Sequence, residues 1–281
     1  MVSAQGPDLL PEFTAWSVAE PAIVAVVLFG SRARETMAPA DGWSDLDVQV
    51  VTTRPDVFSS REWTAVFSGR TLWAYVVRPA SGGVKKVTVM FSPGQELDVV
   101  VVPAAKLRMA RVAVSLGLHR KVPAVARALD EMATVLRSGH RVLKGGRGWA
   151  SFYAQVVGEV RGTRLDDEEV RALAEEFLCD WWWVKQKVAR GELVAAQRVL
   201  HRSLVEINFR LLHERRLRAG DVSFREARRV ERIVTPAQLS GISIESRLDA
   251  VSLEAAAEKC AATCRELVHG LIGDTWRWPI T

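Results

Sequence analysis

Strand-forming sequence is confined to the first two-fifths of this chain, and that asymmetry limits the folds open to it. Ala22 to Phe29 is a bounded apolar run rich in Ile, Val and Leu, as a buried strand requires. Gly30-Ser31 ends it, Arg32 to Thr36 suits a helical turn, and Met37 to Ser44, with Pro39 and Gly42, reads as a loop. Leu46, Val48 and Val50 then alternate with Asp47, Gln49 and Val51, the two-residue period of a strand. Three more β-rich runs follow, at Thr71 to Val77, Lys86 to Phe91 and Glu96 to Val102. The last two are joined across Ser92-Pro93-Gly94-Gln95, a turn with Pro and Gly. A short helix over Leu9 to Val18 precedes them all.

After Ala104 the strand pattern stops. Val122 to Arg137, Asp166 to Arg190, Glu192 to Arg218 and Leu253 to Ile272 are rich in Ala, Leu, Val, Arg and Glu. Ala196, Leu200, Leu204, Ile207 and Leu211 mark one apolar helical face, and Gly145-Gly146-Arg147-Gly148 and Gly220 mark breaks. The reading is an α+β chain: a sheet-containing domain over residues 1–135 and a C-terminal α-helical bundle domain over 136–281.

A length of 281 residues, 48% of them hydrophobic, suffices for two ordinary domains. The longest apolar stretch is far shorter than the roughly 20 residues that span a bilayer. The N-terminus lacks a basic segment followed by a long apolar one, so no secretory signal is read and a cytoplasmic protein is expected. Three cysteines are too few for a disulfide framework. Cys260 and Cys264, four apart on one helical face, read as packing residues. A net charge of +5 suits a polyanionic ligand. The arginine clusters around Arg215 and Arg228 lack the interleaved aromatics of a base-stacking groove, so nucleic acid is not the expected partner.

Chemistry is legible in three places. A strand followed by Gly30-Ser31 and a turn is a phosphate-binding arrangement: Gly30 has no Cβ to fend off an anion, Ser31 adds a hydroxyl donor, and Arg32 or Arg34 adds charge. An ordinary strand-to-turn junction has the same sequence. Asp45-Leu46-Asp47 puts two carboxylates on one face of a strand, an unfavourable pairing unless a cation sits between them; Mg²⁺ takes such ligands. The alternative has one aspartate capping the loop and the other in water. Asp98 lies within Glu96-Leu97-Asp98-Val99-Val100-Val101-Val102, where an unpartnered carboxylate would be costly. If its strand neighbours that of Asp45 and Asp47, three acids converge as in a two-metal site.

These residues resemble the nucleotidyltransferase superfamily signature: Phe29-Gly30-Ser31-Arg32, a gap to Asp45-Leu46-Asp47, and a later acid in Leu97-Asp98-Val99. Within it the chain looks most like the aminoglycoside 6-adenylyltransferases, also called streptomycin adenylyltransferases. The run Glu96 to Pro103 resembles their acid-bearing strand, and Phe177-Leu178-Cys179-Asp180-Trp181-Trp182-Trp183-Val184 with Val188-Ala189-Arg190-Gly191 resembles their tryptophan-rich helix. The resemblance implies a mixed sheet flanked by helices, ATP with Mg²⁺, two ions in number, and AMP transfer to a hydroxyl of an aminoglycoside, streptomycin-like and giving resistance. It puts Gly30, Ser31 and Arg32 on the nucleotide, and Asp45, Asp47 and Asp98 on metal, with Asp98 as a possible general base. Lys144-Gly145-Gly146 departs from the family's more acidic loop, and Asp180 and Trp181 replace Glu and Phe.

An aminoglycoside is a polycation, so its pocket needs acids. Asp180 is the expected contact, beside Glu176 one helical turn earlier and Glu206 on the next long helix, and Trp183 is the expected groove-lining aromatic. These acids could equally be solvated partners of Lys185, Lys187 or Arg210. The five histidines are dispersed and lack a nucleophile or metal spacing, and there is no P-loop. Other readings are a lincosamide, another small molecule or a protein hydroxyl as acceptor, and a nucleotidyltransferase-like antitoxin. No histidine follows an Arg by the four to six intervening residues that the toxin partner of such an antitoxin carries.

Overall fold

A computed structural model of the chain describes residues 8–34, 40–92 and 94–279. It divides into two compact units, Met1–Thr163 and Arg164–Thr281. Among the described residues no helix is long and apolar enough to cross a membrane.

The first unit is built on strands β1 (Ile23–Phe29), β2 (Leu46–Thr52), β3 (Leu72–Ala80), β4 (Val84–Phe91), β5 (Gln95–Pro103) and β6 (His140–Lys144). They form one sheet in the order β3-β4-β5-β2-β1-β6, mixed because β2 and β5 run parallel while every other pair is antiparallel. Strands lie where β-branched runs were read. β6 was not expected: His140-Arg141-Val142-Leu143-Lys144 is short and has no fully buried residue. Among the described residues it pairs with β1 alone, as an edge strand does, so sheet pairing rather than its own sequence makes it a strand. Through β6 and the helix after it, the compact division falls after Thr163, not after residue 135 as expected.

Alternation in the strands fills two layers. Val26, Leu28, Leu46, Val48, Val50, Leu97, Val99 and Val101 face helix α1 (Leu9–Ala19) and two 3₁₀ turns, packing on Phe13, Phe58, Trp63 and Phe67. The opposite face presents Ala25, Val27, Val51 and Val102 to helices α2 (Ala104–Ser115), α4 (Pro123–Arg137) and α5 (Gly146–Glu159), through Leu107, Leu129, Leu136, Trp149, Phe152 and Val156, with a short helix α3 (Leu118–Lys121) between α2 and α4. Each fully buried side chain of this size contributes about 1.5–3 kcal/mol. Lys144 ties the sheet edge to α1: its Nζ donates to the carbonyls of Ser17, Val18 and Glu20 at 2.7, 3.1 and 2.8 Å, which covers a helix C-terminus with positive charge.

The second unit is helical: α6 (Asp167–Ala189), α7 (Leu193–Val199), α8 (Glu206–Arg218), α9 (Val230–Ile233), α10 (Pro236–Ile242) and α11 (Ala250–Ile272). Asp166 starts α6 with a capping box: its carboxylate accepts from the Glu169 N–H at 2.8 Å, and Glu169 returns the bond at 2.9 Å. Val170, Leu173, Ala174, Phe177, Trp181, Val184 and Val188 then recur at helical spacing and pack on α8 and α11. Cys260 and Cys264 are buried in that core, with burial pushing each thiol up to about 12, so they act as small apolar groups. A π-helical segment, Leu200–Val205, joins α7 to α8.

Candidate active site

The site begins where β1 ends. Phe29 pairs with Asp47 of β2, so Gly30 comes to lie directly over the Asp47 side chain. A Cβ at residue 30 would stand 2.2 Å from Asp47 Oδ2. Gly30 also adopts φ 74° and ψ −154°, a backbone region effectively reserved for glycine. Both facts exclude a side chain. A three-residue 3₁₀ turn, Ser31–Ala33, follows in place of the expected helical turn, and Glu35 to Pro39 of that segment lie outside the described residues. The Ser31 hydroxyl oxygen is buried and has no hydrogen-bond partner among the described residues, beside the glycine.

Parallel pairing brings the acids together. Asp47 stands in register with Asp98, and side chains of in-register neighbours share a face. The two-residue period carries Asp45 and Glu96 onto that face as well, one step towards the strand starts. Carboxylate oxygens of Asp45, Glu96 and Asp98 lie within 4.8 Å of one another. Asp47 does not join that close group, since its Oδ2 lies beneath Gly30, but it occupies the same face next to Asp98. Glu96 was quoted in the strand motif without being assigned a role. The available signal was its spacing of two from Asp98, the same spacing that singled out Asp45 and Asp47.

Burial makes this arrangement costly without cations. Asp47 is 7% exposed and Asp98 4%. Thr88 Oγ donates to Asp98 Oδ1 at 2.6 Å, and Lys86 Nζ pairs with Asp98 Oδ2 at 2.5 Å, both from β4, whose Thr88 is in register with Asp98. Burial first, then the charges of Asp98 and Asp45, hold the Glu96 carboxyl above its ordinary value, against the pull of Lys86 and Arg78. Clustered carboxylate oxygens of this kind are the ligand chemistry of Mg²⁺. The residues therefore fit a metal. Below them Gln49 continues the column, accepting from the buried Tyr153 hydroxyl at 2.6 Å.

Arg32 was expected on the nucleotide. Its Nε donates to the carbonyls of Ser44 and Asp45 at 3.2 and 3.0 Å, its Nη2 to Ser44 at 3.0 Å, and its Nη1 pairs with Asp8 at 2.6 Å. The guanidinium holds the entry to β2, and with it the position of Asp45; in this structure it is a positioning group.

Asp180 and Trp183 belong to α6 of the helical unit. Asp180 accepts a hydrogen bond from Ser203 Oγ, in the π-helical segment, and is half-buried. Trp183 is exposed, with Lys187 Nζ 4.7 Å above its ring. Glu176 and Glu206 are exposed. Of the three successive tryptophans only Trp181 is buried, as the turn of 100° per residue requires.

No curated protein sequence matches the chain. Among solved structures, an aminoglycoside 6-adenyltransferase from Bacillus subtilis superposes with a TM-score of 0.41 at 14% identity, over 96% of this chain and 92% of that one. A nucleotidyltransferase-like protein from Exiguobacterium sibiricum superposes with a TM-score of 0.38 at 12% identity, over 93% and 74%. Likenesses this distant decide neither fold nor chemistry. The sequence model is more pointed. Over residues 7–116, which contain β1 to β5 and all four acids, the chain matches the streptomycin adenylyltransferase family.

Proposed function

We propose that this chain is a Mg²⁺-dependent adenylyltransferase that moves AMP from ATP to a hydroxyl of an aminoglycoside of the streptomycin type. The sheet-containing unit would be its catalytic domain and the helical unit its acceptor-binding domain. The observation that carries the reading is the in-register pairing of Asp47 with Asp98, which gathers four acids on one face beside Gly30 and the unpartnered Ser31 hydroxyl. The family match over the same strands supports nucleotidyl transfer.

Asp45, Asp47 and Asp98 would hold the metal, with Glu96 completing the set. Bound there, Mg²⁺ would neutralise charge on the triphosphate and on the attacking oxygen. Gly30 gives the phosphates close approach to backbone, and the Ser31 hydroxyl supplies a donor that has no partner among the described residues. Arg32 fixes the loop that carries Asp45. The acceptor hydroxyl attacks the α-phosphorus in line, forming the new P–O bond as the bond to pyrophosphate breaks, and its proton passes to the carboxylate of Asp98. Asp180, anchored to Ser203 at a π-helical turn, is the acid we assign to the cationic acceptor, with Trp183 as an apolar wall. Turnover with ATP and Mg²⁺ against streptomycin and a wider antibiotic panel, read as pyrophosphate release, tests the whole. Release with an aminoglycoside supports the reading. Release only with a lincosamide or a protein acceptor overturns the acceptor, and no release with any of them overturns the reaction.

A further inference from the structure

Asp98 is saturated in an unusual way. One carboxylate oxygen accepts from Thr88 at 2.6 Å and the other pairs with Lys86 Nζ at 2.5 Å. Both partners come from β4, where Lys86 and Thr88 are two apart and therefore on one face. Their roles differ. The threonine is buried and neutral, so it can orient Asp98 whatever else binds there. The lysine is a cation at the position a divalent ion would need. Mg²⁺ sits roughly 2.0–2.1 Å from its ligand oxygens. An ion on Asp98 Oδ2 would thus stand within a few ångströms of the Lys86 ammonium, and like charges so close repel. The Lys86 side chain is 37% exposed and carried on a flexible stem, so it has room to move, while the Asp98 side chain is 6% exposed and fixed in the sheet.

Resting on the metal-dependent reading above, we propose that Lys86 is a built-in counter-ion of Asp98 that competes with the divalent cation. Metal then loads fully only when triphosphate oxygens offer the ammonium another partner. The pair keeps a buried carboxylate neutralised in the empty site and couples metal binding to nucleotide binding. Lys86 is a positioning residue here, acting through Asp98.

The test is Mn²⁺ binding to the full chain, read by the loss of the free-ion electron paramagnetic resonance signal, without nucleotide and with a non-hydrolysable ATP analogue. Wild type, Lys86→Met, Lys86→Gln and Asp98→Asn are compared, each first checked for a cooperative thermal transition. Without nucleotide, Lys86→Met and Lys86→Gln should bind Mn²⁺ about tenfold more tightly than wild type. With the analogue that advantage should shrink. Two neutral variants are used so that misfolding of one leaves the comparison standing. Equal or weaker binding by both, while Asp98→Asn loses Mn²⁺, overturns the Lys86 inference and leaves the metal site intact. Undiminished binding by Asp98→Asn overturns the metal assignment itself, and the inference with it.

Discussion

Glu214 in the helical unit and the acids at the strand starts of the sheet unit are all carboxylates in confined settings, yet their neighbours differ in kind. Glu214 is 2% exposed and fully met: Arg164 donates to both its oxygens, Arg218 Nε reaches one at 3.0 Å, and the Leu165 N–H reaches the other at 3.0 Å. Burial pushes its pKa up, but those bonds outweigh it and hold the carboxyl below its ordinary range. Glu96 is more exposed and is nonetheless held above that range, because burial is reinforced by the carboxylates of Asp98 and Asp45. Lys86 and Arg78 pull that carboxyl the other way without overcoming the rise. An acid placed for stability is given its cations by the fold. A group of acids that hold one another's carboxyl up is the kind of setting in which a ligand bringing cations is looked for.

Substitutions can break or sharpen this contrast. The largest effect is expected at Asp98. Asp98→Asn should lower the rate of transfer by about 10³-fold, as loss of a charge-stabilising group does, while leaving the thermal transition near its wild-type midpoint. Full activity in that variant would remove the acids' functional meaning. Glu214→Ala should do the reverse. Two arginines lose their shared anion, and because both keep some contact with water the cost should be about 3 kcal/mol, seen in thermal or denaturant unfolding, with Mn²⁺ affinity unchanged. Gly30→Ala comes next. The added Cβ meets Asp47 Oδ2 at 2.2 Å in a conformation closed to alanine, so a loss of about 1–3 kcal/mol in stability should accompany impaired transfer.

The smallest effect carries the sign that separates the two settings. Glu96 binds its proton more readily folded than unfolded, so the folded state holds more protons between the ordinary glutamate pKa and its raised value. Stability must therefore fall as pH rises through that window. Glu214 runs oppositely: its contribution is present above the ordinary glutamate pKa and is lost as pH falls through its depressed value. Glu96→Gln should thus raise the melting temperature of metal-free protein at neutral pH, with the gain fading as pH is lowered, whereas Glu214→Gln should lower it. A melting curve against pH for each variant checks both signs.

Much of this was legible in the chain itself, and the remainder has identifiable causes. Alternation announced β2 and a continuous valine run announced β5, and the spacing of two in Asp45-Leu46-Asp47 put both acids on one face before any pairing was known. Which strands become neighbours is not a local property. The parallel register that sets Asp47 against Asp98 joins β2 to β5 across two intervening strands, whereas the hairpin that brings Thr88 and Lys86 to Asp98 is local. Glu96 obeys the same spacing rule, standing two residues before Asp98 as Asp45 stands before Asp47. β6 was missed since Val142 and Leu143 alone give no alternation, and an edge strand needs little of its own. Arg32 illustrates a different limit: its charge was plain, but its use on the Ser44 and Asp45 carbonyls depends on where the β2 entry folds.

The central claim is that the acids on this face exist to hold a divalent cation beside a nucleotide. Anomalous scattering from a crystal of the chain grown with Mn²⁺ and a non-hydrolysable ATP analogue tests it most directly. The account predicts a strong peak within ligand distance of Asp45 and Asp98, on the side of Gly30 and Ser31. A nucleotide-bound crystal with no peak among these carboxylates, or with its manganese elsewhere, would contradict it.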